Sequence, residues 1–143
     1  MIQFSLVTLD GTKSDHEVYE VILPTPDGYM AVLPHHIPLV SLVSAGVVSV
    51  RPTAQTRDDE LELYAVSGGV IEIEDNRARI LVDEASASDE VNEQAAREAI
   101  EAARRMLAQA KTHVELADAQ AMVEREAARL HVAELRRHKH ARS

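Results

Sequence analysis

All five glycines and all five prolines of this 143-residue chain lie at or before Gly69. The 74 residues that follow contain no helix breaker of either kind. The same boundary separates the aromatic residues, because Phe4, Tyr19, Tyr29 and Tyr64 all precede it. A chain so divided is expected to fold as a turn-rich β module followed by a helical one.

Before that boundary, short apolar runs alternate with period two. Phe4 and Leu6 alternate with Gln3, Ser5 and Val7, and Ile71 and Ile73 with Glu72 and Glu74. Leu61, Leu63 and Ala65 alternate with Glu60, Glu62 and Tyr64, while Gly46 opens Val47-Val48-Ser49-Val50. Asp75-Asn76 stands where a tight hairpin turn belongs, with Ala78, Ile80 and Val82 on the return strand. Short strands with closely spaced turn signals predict an all-β sandwich or barrel. Ser67-Gly68-Gly69 interrupts one run and predicts a sharp bend or close backbone approach.

Residues 25–40 are the most constrained stretch. Pro26-Asp27-Gly28 is turn chemistry. Tyr29 to Leu33 is apolar at alternating positions of both parities, which predicts a strand buried between layers. Pro34 and Pro38 then bar a regular element and bracket His35, His36 and Ile37 in a stiff loop.

After the boundary, Ser88-Asp89 is N-cap chemistry. Val91, Ala95, Ala99, Ala102, Met106 and Ala110 fall at helical spacing, and so do Leu116, Ala119, Val123, Ala127, Leu130 and Ala133. Thr112 followed by Glu115 predicts a second helix start, so the simplest reading is an antiparallel helical hairpin, with one continuous helix through Lys111 as its rival. The fold class is therefore α+β, with a β-sandwich docking domain over residues 1–85 and a two-helix domain over 86–143. A seam of alanines buries little and contributes only a few kcal/mol. Such a seam can open if a partner supplies comparable differential affinity.

Charge separates the two parts as well. Residues 1–88 carry 14 acidic and 5 basic side chains, while residues 89–143 carry 10 of each. The total of −9 argues against nucleic-acid binding. Basic side chains gather at the end of the chain, at Arg136, Arg137, Lys139 and Arg142. The absence of cysteine excludes disulfides and thiolate metal sites. The first residues lack signal-peptide layout, and no apolar run approaches a membrane-spanning length.

His35 and His36 invite a metal, but adjacent residues of an extended segment point apart and chelate one ion poorly. No phosphate-binding glycine loop or nucleophile elbow is present. The alternative enzymatic class is a β-sandwich metalloenzyme using His35, His36 and Asp27. His138 and His140 fall on different helix faces. Arg125, Arg129 and Arg136 recur along the second helix, either as a solvated face with pairs such as Glu126 to Arg129 or as a contact for an acidic partner.

Residues 25–40, Val66-Ser67-Gly68-Gly69-Val70-Ile71-Glu72-Ile73, Ile80-Leu81-Val82-Asp83-Glu84-Ala85 and Arg129-Leu130-His131-Val132-Ala133-Glu134-Leu135 resemble the epsilon subunit of bacterial F-type ATP synthase. The resemblance spans essentially the whole chain. It implies a non-catalytic central-stalk rotor subunit that requires no cofactor. Such a subunit is peripheral on the cytoplasmic face of the cell membrane and couples the c-ring and the gamma subunit. It implies that Tyr29, His35 and His36 face the ring and gamma. It also implies that Arg125, Arg129, Arg136 and Arg137 meet the catalytic beta and alpha subunits, where the helices restrain ATP hydrolysis. His35 departs from the family's Pro-Gly-His, which restricts the backbone and adds bulk. Some relatives bind ATP through Ile/Leu-Asp-x-x-Arg-Ala and two arginines. Here Asn92 and Ala95 replace the Asp and the Arg, while Arg125 and Arg129 match, which implies weak or absent ATP binding.

Overall fold

A computed structural model describes residues 1–142, with side chains described through Arg137. Ten strands come before the α-helices: β1 (Ile2–Thr8), β2 (Gly11–Val18), β3 (Glu20–Thr25), β4 (Gly28–Val32), β5 (Leu39–Val43), β6 (Gly46–Arg51), β7 (Glu62–Val66), β8 (Gly69–Glu74), β9 (Arg77–Val82) and β10 (Ala85–Ala87), with a 3₁₀ turn at Asp58–Glu60 between β6 and β7. They form two five-stranded sheets, ordered β2-β1-β9-β8-β5 and β10-β7-β6-β3-β4. All pairings are antiparallel except β1 with β9, which sets Phe4 beside Ala78 and Leu6 beside Ile80.

The alternation read from the sequence becomes the core between the sheets. Ile2, Phe4, Leu6, Ile71, Ile73, Ala78 and Ile80 come from the first sheet, and Val21, Leu23, Val32, Val48, Val50 and Val66 from the second. Asp75 and Asn76 close the β8–β9 hairpin with φ of 50° and 58°, the left-handed pair that a two-residue turn requires. Gly69 is fixed by close approach, since a Cβ there would lie 1.9 Å from the Leu81 carbonyl oxygen. Across this bend the Ser67 backbone N–H donates to Glu84 O at 3.1 Å, and Glu84 N–H returns a bond to Ser67 Oγ at 2.9 Å.

The β-sandwich is followed by two helices, α1 (Glu93–Gln109) and α2 (His113–Arg142), which form a hairpin. The chain leaves β10 through a 3₁₀ turn, Ser88–Glu90, so Ser88 and Asp89 do not cap α1. Asn92 does, its side chain accepting from Ala95 N–H at 3.0 Å. This later start shifts the buried stripe. Ala96, Ile100 and Ala103 are buried, whereas Ala95 and Met106 are exposed, because Val91 precedes the helix and does not share its phase. At the second start, Thr112 Oγ1 accepts from Glu115 N–H at 3.1 Å, and Glu115 reaches back to Lys111 N–H at 2.9 Å.

The helix-to-helix seam is only part of what holds the hairpin. Ala128, Val132 and Ala133 pack with Val47, Ala65, Val91 and Ala96 in a second apolar cluster on the outer face of the second sheet. Strand β7 therefore serves two cores. Leu63 and Ala65 meet the helices, while Val66 and half-buried Tyr64 meet the sandwich interior. Because α2 touches both a sheet and a helix, its buried set is broader than one stripe. Ala119, Glu126, Ala128, Val132 and Ala133 are buried, and Ala127 and Leu116 are exposed. Among the described residues, no helix is long and apolar enough to cross a membrane.

Candidate docking edge and helix face

Strands β4 and β5 are the terminal strands of their sheets, joined directly by the proline loop. The expectation that Tyr29 to Leu33 is buried between layers is not met. On an edge strand only one face meets the core, so Val32 is buried while Tyr29, Ala31 and Leu33 face solvent. The turn before β4 is built as its sequence suggests: Thr25 Oγ1 donates to Gly28 O at 2.6 Å, and Gly28 takes φ of 116°.

In the loop, His36 N–H donates to Leu33 O at 3.2 Å, a local turn. His35 sits at φ of 63°, the left-handed region that glycine enters freely and other residues enter at a cost. Its N–H donates to Asn76 Oδ1 at 2.8 Å, and Asn76 Nδ2 donates to Met1 O at 2.8 Å. Asn76 thereby joins the loop, the β8–β9 turn and the N-terminus. The His35 side chain is exposed, and His36 is half-buried with Nδ1 at 2.7 Å from Ile37 O. Among the described residues, no three His, Asp or Glu side chains are grouped so as to hold a metal. The metalloenzyme alternative therefore finds no ligand set around His35, His36 and Asp27.

Around this loop lies an apolar surface that the histidines did not signal. Tyr29 is 68% exposed, Ile37 73%, Val40 70% and Leu42 62%. Val40 and Leu42 stand on the outward face of β5, opposite Glu72 and Val70 of β8. Leu39-Val40-Ser41-Leu42-Val43 is apolar at every position except Ser41, so its pattern does not say which face is buried.

The arginines of α2 are engaged within the chain. Arg125 lies 3.4 Å from Glu84 and 3.4 Å from Glu126, and Arg129 lies 3.7 Å from Glu126. Glu126 is a buried carboxylate, and the Nε atoms of Arg125 and Arg129 are buried without hydrogen-bond partners. Arg136 donates to the carbonyls of Ser88 and Val91, the latter at 3.0 Å. Arg137 pairs with Glu93 at 3.0 Å, and Glu93 also takes Arg97 at 2.8 Å. The hydrogen bond from Arg97, aided by the charges of Arg137 and Arg136, holds the Glu93 carboxyl below its ordinary pKa. Asn92 shares its surroundings with Arg136, whereas Arg125 and Arg129 gather at Glu126, two to three helical turns away along α2. The side chains of His138, Lys139, His140 and Arg142 lie outside the described residues.

The profile of the family described as ATP synthase, Delta/Epsilon chain, beta-sandwich domain, matches residues 1–88. Over 132 residues the chain is 36% identical to the ATP synthase epsilon chain of Moorella thermoacetica, covering 92% of this chain and 96% of that one. Its fold is similar to a chain in the cryo-EM structure of the Euglena gracilis mitochondrial ATP synthase, OSCP/F1/c-ring in rotational state 1. There the TM-score is 0.73 at 22% identity, over 88% of this chain and 77% of that chain. It is similar also to a chain in the central stalk/c-ring structure of the Tetrahymena thermophila mitochondrial ATP synthase, with a TM-score of 0.60 at 12% identity over 90% and 95% of the two chains. Two sheets, a helical hairpin and these likenesses lead to one conclusion: the chain belongs to the ATP synthase epsilon-chain family, whose members are non-catalytic subunits.

Proposed function

We propose that this chain is a rotor subunit of a proton-translocating ATP synthase, working through two surfaces of opposite character. The β4–β5 edge with Tyr29, His35 and His36 is the docking surface for the gamma subunit and the c-ring. The observation that carries this reading is the joint exposure of Tyr29, Ile37, Val40 and Leu42 on two consecutive uncharged edge strands and the loop that joins them. Exposed apolar edges invite association unless a partner covers them. The opposite edge supports the contrast, because β2 carries Lys13, Asp15, His16 and Glu17. A rigid proline loop adds to docking because little conformational freedom is lost on binding.

In the same reading, residues 1–85 dock and residues 86–143 regulate. The helices restrain ATP hydrolysis by meeting the catalytic beta and alpha subunits through Arg125, Arg129, Arg136 and Arg137. In the folded hairpin these arginines face the chain's own acids and carbonyls, so restraint requires the hairpin to open. The protein then works at the cytoplasmic face of the membrane, held there through the complex. Asn92 is occupied as a helix cap and Arg125 and Arg129 by Glu126, which favours weak or absent ATP binding.

Binding of Val40→Asp and Tyr29→Asp variants to a complex of gamma subunit and c-ring tests the docking surface. Each is expected to weaken association at least tenfold while leaving the fold intact. Unchanged association in both variants would refute this assignment.

A further inference from the structure

At the open end of the hairpin, Arg136 and Arg137 of the proposed head-contact set are held in a cluster within the chain. Arg136 extends from the last described turns of α2 and donates through two guanidinium nitrogens to the carbonyls of Ser88 and Val91. Those carbonyls flank the 3₁₀ turn that links β10 to α1. Immediately beyond them Asn92 caps α1, and Ala96 N–H donates to Asn92 O at 3.0 Å. Glu93, the next residue, takes Arg97 from α1 and Arg137 from α2, while Arg97 lies 3.5 Å from Glu134. One end of α2 is thus bound to the segment about which the hairpin would swing.

We propose that Arg136 is a latch residue, which makes release of α2 and straightening of residues 88–92 a single event. The planar fork of an arginine donates in fixed directions. It satisfies two carbonyls only while the 3₁₀ turn presents them side by side. If α2 leaves, both carbonyls lose their donor and the turn loses its brace. If the turn straightens, Arg136 loses both acceptors. The pairs of Glu93 with Arg97 and Arg137 are exposed and screened by salt, so they add to the hold without setting its geometry. The proposal rests on the reading of the hairpin as a part that leaves the sandwich. It specifies what holds that part folded and which segment moves with it.

Residue-resolved amide hydrogen exchange on the full isolated chain tests this in the absence of any partner. Hydrogen bonds from a charged donor are strong enough that Arg136→Ala is expected to speed opening about tenfold or more. The increase is expected to be equal in two separate sets of amides, the first turn of α1 at Ala95 and Ala96 and the α2 segment 128–137. Arg136→Lys keeps the charge but not the fork, and is expected to fall between wild type and alanine in both sets. Exchange in β1, β8 and β9 reports whether the sandwich stays folded. Complete loss of protection in both helical sets over an intact sandwich is the same coupled outcome. Faster exchange in α2 alone, or no change in either set, overturns the latch. Since the measurement uses the chain alone, either result leaves the rotor reading to be decided by the binding assay.

Discussion

Val132→Ala isolates the contact that docks the hairpin onto the second sheet. Val132 has no exposed surface and packs with Val47, Ala65, Val91 and Ala96. The substitution removes the equivalent of two methylene groups, at ~0.8 kcal/mol each. The cavity left behind brings the loss to about 2 kcal/mol, or roughly a 30-fold rise in the open population. None of the lost contacts belongs to the cluster between the sheets, which contains Phe4, Ile71 and Ile80. The effect should therefore be local. Native-state amide exchange is expected to show α2 opening roughly 30-fold more often, with the protection of β1 and β8 unchanged. Equal weakening of α2 and the β1 and β8 strands would refute the claim that the hairpin is a separately detachable layer. Undisturbed α2 protection would refute the claim that this cluster holds it.

Gly69→Ala places a Cβ 1.9 Å from the Leu81 carbonyl oxygen, so the β8–β9 pair must separate. The expected cost is about 3 kcal/mol or more, seen in thermal unfolding as a Tm lower by ~10–20 °C. The Glu93 carboxyl is held below its ordinary pKa chiefly by the hydrogen bond from Arg97, with Arg137 and Arg136 assisting. A depressed carboxylate contributes stability that is present above its unfolded pKa of about 4.3 and is lost as the pH falls through the folded value. Exchange at the open end of the hairpin should therefore accelerate as pH is lowered below about 4, after correction for intrinsic rates. In Glu93→Gln that acceleration should be reduced, and an identical pH profile would exclude Glu93 as its source.

Much of this architecture is legible in the sequence because its physics is local. Phe4 and Leu6, or Ile71 and Ile73, alternate cleanly, since the outer face of the first sheet is polar or weakly covered. Asp75-Asn76 tolerates left-handed φ whatever surrounds it, and Thr112 with Glu115 marks a helix start within four residues. What eludes the sequence depends on distant partners. Tyr29 to Leu33 is apolar at both parities, and periodicity does not distinguish a strand between two layers from an edge awaiting a partner. The helix stripe is displaced by one residue because Val91 belongs to the linker cluster rather than to α1. Glu126 looks like one more surface acid, and only the packing of α2 between α1 and the sheet buries it. Arg136 reads as a member of a basic face, yet its acceptors are backbone carbonyls 45 and 48 residues earlier.

The same limit applies to the candidate docking edge. Pro34 and Pro38 indicate a presented loop, but the exposed surface extends onto Val40 and Leu42, which no motif marks. His35 is intelligible only with its φ of 63° and its hydrogen bond to Asn76 in view. The histidine occupies a backbone geometry that glycine enters freely, and its side chain stands exposed on the loop.

The division of labour between sandwich and helices is tested most directly by adding residues 1–88 alone, beside the full chain, to a catalytic head that contains gamma and lacks its own epsilon chain. The account predicts that both forms bind gamma with similar affinity, and that only the full chain lowers the rate of ATP hydrolysis. Inhibition by the truncated form equal to that of the full chain would contradict it.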